Sequence, residues 1–277
     1  MTIRLKLITA IQDAADELER RGVDISYAWK RRDPREPERR AKEAAEDALF
    51  LWLRRRFRRQ AKRIKEKLEW EHPERKAKLP PGWENILEEA EDEDELALLI
   101  QLLTKNTKDG INLFGQSTGI DIDYTLTNVE AATWARKYAK DFLKEIDGTT
   151  QDALQQAIIA FVETPGFTIG DVMDMLPYDE QRALRIAVTE VTRTYAQGQL
   201  MAGDQLKKEF PEVRVVKRWY TNNDDLVCEI CAPLDGMEVG IDEGFTTEAD
   251  KSEGLDSPPA HPNCRCFIDT STALAEL

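Results

Sequence analysis

The sequence predicts an α+β protein that is mostly helical, with a small β-containing region at its C-terminal end. Three observations predict it. Apolar residues recur at helical spacing through most of the first 200 positions, the period changes to two from Val213, and all four cysteines fall in the last fifth of the chain. With 41% hydrophobic and 33% charged residues, the 277 positions hold enough apolar material for a substantial core and exclude a small disulfide scaffold. No apolar run approaches the roughly 20 residues of a membrane span, and the N-terminus lacks a long apolar centre and a cleavage site. Neither a membrane partner nor an export signal is expected.

Residues 1 to about 29 read as a short amphipathic helix on Ile3, Leu7, Ile11 and Leu18, closed near Gly22, before Pro34 and Pro37 break regular structure. From Glu38 to about Trp70 the Ala, Glu, Lys, Arg and Leu content favours a long helix, with Leu49, Leu53, Phe57, Ile64 and Leu68 on one stripe. The segment His72 to Gly82 carries three prolines and a glycine and is the best linker. The expected division is a basic helical arm with linker over 1–80, a helical middle over 81–148 and a C-terminal domain over 149–277. Helices are expected over Glu95 to Thr104 and Asn128 to Ile146, the second with Trp134, Tyr138, Phe142 and Ile146 at i, i+4 spacing. A turn at Asp147-Gly148 then leads to a new helix opening at Thr149 or Thr150 and ending at Pro165-Gly166. Thr168 with Asp171 reads as a capping arrangement, and Leu184, Val188, Val191 and Tyr195 line a long helix after Pro177. VRVVKRWY from Val213 reads as a strand, and the Asp235-Gly236 pair as a tight hairpin turn.

Charge is distributed unevenly. The formal net charge of −14 argues against a generic basic nucleic-acid binder, but Lys30 to Lys78 holds 19 basic and 10 acidic residues, net +9, which leaves −23 elsewhere. Arg54, Arg55, Arg56, Arg58, Arg59, Lys62, Arg63 and Lys65 follow one another without an intervening acid. Three readings fit such a run: a solvated helix face, a contact to nucleic-acid phosphates, or a contact to an acidic protein surface.

Cys228-x-x-Cys231 and His261-x-x-Cys264, about 30 residues apart, together offer the Cys3His set of a tetrahedral zinc site, and Cys266 is an alternative to Cys264. The C-terminal β region is therefore read as a zinc-knuckle region. A Cys228–Cys231 redox pair, ordinary buried thiols and a disulfide network are the other readings. Four protein ligands leave no open position for water, and His72 is the only other histidine, so the expected zinc is structural and no catalytic residue is assigned.

Arg185 to Gln199 (RIAVTEVTRTYAQGQ), Arg218 to Gly236 (RWYTNNDDLVCEICAPLDG) and Pro258 to Cys266 (PPAHPNCRC) resemble, in order and spacing, the phage Mu F-like, or head morphogenesis, family of minor capsid proteins. The resemblance covers roughly Thr149 to Asp269. It implies a structural protein of tailed double-stranded DNA phages or prophages, acting in procapsid assembly near the portal and assisting DNA packaging or ejection in some members. It implies as partners the portal, scaffold or major capsid protein, and as location the virion, or the host cytoplasm during assembly. Phage DNA is a candidate partner of the basic arm. Glu190 and Arg193 in the TE motif read as a solvated pair at i, i+3, and Trp219 and Tyr220 as core. Two rivals remain. One is a nuclease or toxin-type enzyme carried on such a module. The other is a zinc-dependent DNA-binding protein, against which stand Glu229, Asp235, Glu238, Asp242 and Glu243 and the lack of Lys or Arg from Val227 to Gly244.

Overall fold

The computed structural model describes residues 36–71, 93–120, 124–164, 166–222, 227–246 and 254–274. Five helices precede a three-stranded sheet among these residues: α1 (Arg39–Glu71), α2 (Glu93–Thr118), α3 (Tyr124–Glu163), α4 (Ile169–Met175), α5 (Glu180–Glu209), β1 (Val213–Tyr220), β2 (Glu238–Gly240) and β3 (Phe267–Leu274). β1 is the middle strand, antiparallel to both neighbours, with Arg218 opposite Glu238 on β2 and Asp269 on β3. The expected N-terminal helix and the His72 to Gly82 linker lie outside the described residues.

Helix α5 is the axis of the molecule, because it meets α1, α2 and α3 along one half and β1 and β3 along the other. Ala183, Ala187 and Val188 close a core with Leu49, Leu53 and Phe57 of α1, Leu99 and Leu103 of α2 and Phe142 of α3. Burying this apolar surface is the main drive for assembling the helices. Further along, α2 and α5 touch backbone to backbone. A Cβ on Gly198 would lie 2.1 Å from the Thr107 oxygen, and one on Gly110 2.2 Å from the Tyr195 oxygen, so only glycine fits at this crossing. Beyond it, Ala202 and Leu206 pack with Ile111, Phe114, Val215 and Ile241 and tie the sheet to the helices.

The capping of α4 follows the sequence. Thr168 Oγ1 accepts from the Asp171 N–H at 3.2 Å, and Asp171 Oδ2 accepts from the Thr168 N–H at 2.6 Å. Three expectations are corrected. Helix α2 runs to Thr118 instead of stopping at Thr104, because its polar and small residues Asn106, Thr107 and Gly110 are buried at the α5 crossing. Helix α3 is one 40-residue element with no break at Asp147-Gly148. There Thr149 and Thr150 donate back to the Glu145 and Ile146 carbonyls at 3.0 Å each, while Arg182 Nη2 donates to Ile146 O at 3.1 Å. Finally, Asp235-Gly236 forms no two-residue hairpin. The Met237 N–H bonds to Leu234 O with Gly236 at φ 76°, a type II turn that brings Gly236 N–H to the Trp219 carbonyl at 2.8 Å.

Candidate metal centre

Two short loops carry the cysteines and the histidine. In the first, the Cys231 and Ala232 N–H groups both bond to Cys228 O, at 3.1 and 2.9 Å, folding the knuckle so that both thiols face one way. In the second, the Cys264 N–H bonds to His261 O, and Asn263 sits at φ 64°. Helix α5 holds the second loop in place: Thr189 Oγ1 accepts from the Asn263 N–H at 2.7 Å, and the Thr192 hydroxyl donates to Cys264 O at 3.1 Å.

The donors converge. His261 Nε2 lies 3.1 Å from Cys228 Sγ and 3.3 Å from Cys231 Sγ, and Cys231 Sγ lies 3.8 Å from Cys264 Sγ. With Zn–S near 2.3 Å and Zn–N near 2.0 Å, a tetrahedral site has edges of roughly 3.8 Å between sulfurs and roughly 3.5 Å between sulfur and nitrogen. Cys228, Cys231 and His261 form one ligand-like group, and Cys231, Cys264 and Cys266 a second that shares Cys231. None of the four cysteines is in a disulfide. His261 Nδ1 stands 2.8 Å from Pro262 O, which can only accept, so Nδ1 carries the proton and Nε2 presents its lone pair to the sulfurs.

The donor set fits a divalent ion. Hydrogen bonding from the Cys231 and Cys266 thiols holds Cys264 far below the usual thiol range, and the same contact with Cys264 pushes Cys231 up. The three sulfurs are buried among Trp219, Leu234, Phe245 and Ile268, where water does not stabilise charge, so several thiolates there need a cation beside them. A soft-tolerant ion such as zinc meets that need. The Trp219 indole N–H, buried without an oxygen acceptor, lies against Cys266; contact with Cys231 and, more weakly, the indole favour the Cys266 thiolate, but contact with Cys264 and burial outweigh them and hold the thiol above its ordinary range.

A pocket that sequence reasoning did not find opens beside the second loop. It has a volume of about 440 Å³ between α3 and α5, with Phe142, Ile146 and Ile186 as apolar lining, Arg185 and Arg193 among its charged residues, and Pro262 from the metal loop. Glu190 lines it but is not on a solvated face as expected: it is buried, accepts from Tyr138 Oη at 2.5 Å and meets Arg193 Nε at 3.4 Å. Burial pushes its carboxyl above the ordinary range. The signal for this lay in α3, where Tyr138 follows Trp134 by one turn and the two rings stack at 4.7 Å. Trp219 is core, as expected, and Tyr220 stacks on Phe267 at 5.2 Å.

The basic run of α1 is divided by its helical faces. Arg56 is buried between Glu95, at 3.4 Å, and Asp147, at 2.6 Å, with Gln60 bonding the other Asp147 oxygen at 2.8 Å. It is an internal ion pair and not a surface contact, which corrects its inclusion among the binding residues. Arg54 pairs with Glu180, Arg59 with Glu95 at 2.5 Å, and Lys62 with Glu66 at 3.7 Å. Arg55, Arg58, Arg59, Lys62 and Arg63 form the exposed part.

Residues 131–269 match the family described as Phage Mu protein F like protein, a match that spans half of the chain. The chain belongs to this family, whose members are phage head morphogenesis proteins of generally structural character. No curated protein and no solved structure matches it. Both metal-site loops, α5 and most of α3 lie inside the matched region. No helix among the described residues is long and apolar enough to cross a membrane.

Proposed function

We propose that this chain is a minor capsid protein acting in procapsid assembly near the portal vertex of a tailed double-stranded DNA phage or prophage, and that one structural zinc ion on Cys228, Cys231, His261 and Cys264 secures its C-terminal loops. The observation that carries the reading is the convergence, inside the family region, of thiols and an imidazole at ligand spacing on a loop docked to α5. Cys264 and Cys266 both lie beside Cys231, and Cys264 is taken as the fourth ligand on its 3.8 Å separation from Cys231 Sγ, a tetrahedral edge. The ion clips the 30-residue span between Cys231 and His261 and offsets the entropy of ordering it. Its shell is filled by protein atoms, so the role is structural and not catalytic.

Portal, scaffold or major capsid protein are the partners this role requires, with assembly in the host cytoplasm and residence in the virion. The exposed cations of α1 fit the phage genome as a further partner. The test is quantitative mass spectrometry of procapsids assembled with wild-type or Cys228→Ser protein. Wild-type chain is expected at a fixed low copy number and the variant at a reduced one; procapsids that assemble normally and contain no wild-type chain would overturn the reading.

A further inference from the structure

The cations of α1 have a counterpart on α3 that the linear sequence separates from them by about 80 residues. Arg136, Lys140 and Lys144 recur at i, i+4 and i+8 on α3, and all three are exposed. Among the described residues none of the three makes an ion pair. One turn after Lys144 comes Asp147, the residue to which Arg56 of α1 is bound at 2.6 Å. Residues three and four apart on a helix are neighbours on one side, so the α3 row leads directly to the junction of the two helices. On α1, Arg59 and Arg63 follow Arg56 by three and seven positions on the same side, Arg59 also pairing with Glu95 at 2.5 Å. The Arg56–Asp147 pair therefore neutralises the contact point and leaves a row of cations running from it on each helix.

The α3 row, from Arg136 to Asp147, extends about 16 Å at 1.5 Å per residue, alongside about five phosphates of one duplex strand at 3.4 Å of axis each. Asp141 and Glu145 are displaced around α3 from this row, Glu145 toward the α3–α5 pocket. Among the exposed large apolar residues described, Val129, two turns before Arg136, borders the α3 row, and none lies between Arg136 and Lys144 or between Arg56 and Arg63. A protein interface draws its energy from buried anchors of that kind, whereas phosphate contact needs only placed charge.

We propose that α1 and α3 form a single two-helix surface for the sugar–phosphate backbone of duplex DNA, with Lys140 and Lys144 contacting phosphates together with Arg59 and Arg63. The inference rests on the DNA reading of α1 given above and adds the second helix to it. The test is fluorescence anisotropy of the full chain with a random-sequence duplex over a range of salt concentrations. Wild type should bind at low salt, with log affinity falling linearly in log salt. Lys140→Gln/Lys144→Gln should lower that slope by about 1.8, at about 0.9 per phosphate contact. Arg59→Gln/Arg63→Gln should lower it by a similar amount, and Lys208→Gln on the far end of α5 should not change it. An unchanged slope for the α3 variant together with a reduced one for the α1 variant overturns the two-helix surface and leaves α1 alone. Absence of wild-type binding at low salt overturns both readings. Binding of polyglutamate in preference to the duplex, lost in the α3 variant, assigns the surface to an acidic protein and overturns the DNA proposal.

Discussion

Gly198→Ala is the substitution whose cost the structure sets most directly. The added methyl carbon would lie 2.1 Å from the Thr107 oxygen, 2.9 Å from the Ile111 nitrogen and 3.0 Å from the Gly110 Cα, all backbone atoms of α2 that no rotamer change can move aside. Ordinary contact between carbon and oxygen is near 3.3 Å, so α2 and α5 must part by on the order of 1 Å. A gap of that size forfeits a quarter to a half of the dispersion energy of the contacts it opens. Overpacking costs about 1–3 kcal/mol and is worst against backbone, while alanine regains up to about 1 kcal/mol of helix propensity. The net expectation is a loss of about 2 kcal/mol, read as a lower urea midpoint at unchanged slope. Gly148→Ala is the internal control. Gly148 lies in the interior of α3 with no atom within 4 Å of the added carbon, so the same substitution should stabilise by about 0.5–1 kcal/mol. A Gly198→Ala midpoint at or above wild type would refute the close crossing.

Arg56→Ala removes the buried guanidinium between Glu95 and Asp147, which keep Arg59 and Gln60 as partners, and should cost about 1–3 kcal/mol, whereas Arg55→Ala, on the open face, should stay within about 0.5 kcal/mol in the same denaturation assay. Burial raises the Asp47 carboxyl to about 7, above its unfolded value of 3.8. The folded state therefore holds the proton more tightly, and the stability this contributes is present below about pH 4 and lost as pH rises to about 7. Asp47→Asn should consequently raise the free energy of unfolding at pH 8 by on the order of 1–2 kcal/mol after solvent screening, read as a higher melting temperature, and have no effect near pH 4. Cys228→Ser and His261→Ala should each abolish zinc retention and increase amide exchange in 227–274 while leaving α1 to α3 protected.

The apolar stripes of α1 and α5, the alternation of β1 and the Thr168 cap were legible because each is a local pattern that tertiary packing reinforces. The continuity of α3 was not. Asp147, Gly148, Thr149 and Thr150 all favour a break by local preference, and it is Arg182, bonded to Ile146 O at 3.1 Å and Thr150 Oγ1 at 3.3 Å, that supports the helix from a distant element. The length of α2 was hidden for a similar reason, since Asn106, Thr107 and Gly110 look loop-like until Gly198 is placed against them. The charge run was visible as a run, but the partners that internalise Arg56 stand 39 and 91 residues away. Glu190 read as solvated because nothing local shows that Tyr138, 52 residues earlier, covers it. At the candidate metal site, spacing identified every residue that the fold brings together. It could not choose between Cys264 and Cys266, which differ by two positions and both lie beside the Cys231 sulfur.

The central claim is that the cysteine and histidine loops are a zinc site and that the ion organises the family region of this head protein. Elemental analysis of protein purified without added metal or chelator, paired with native mass spectrometry, tests it most directly. The account predicts one zinc per chain, bound with loss of the ligand protons and removed only with loosening of the C-terminal loops. A metal-free chain with a fully folded C-terminal region would contradict it.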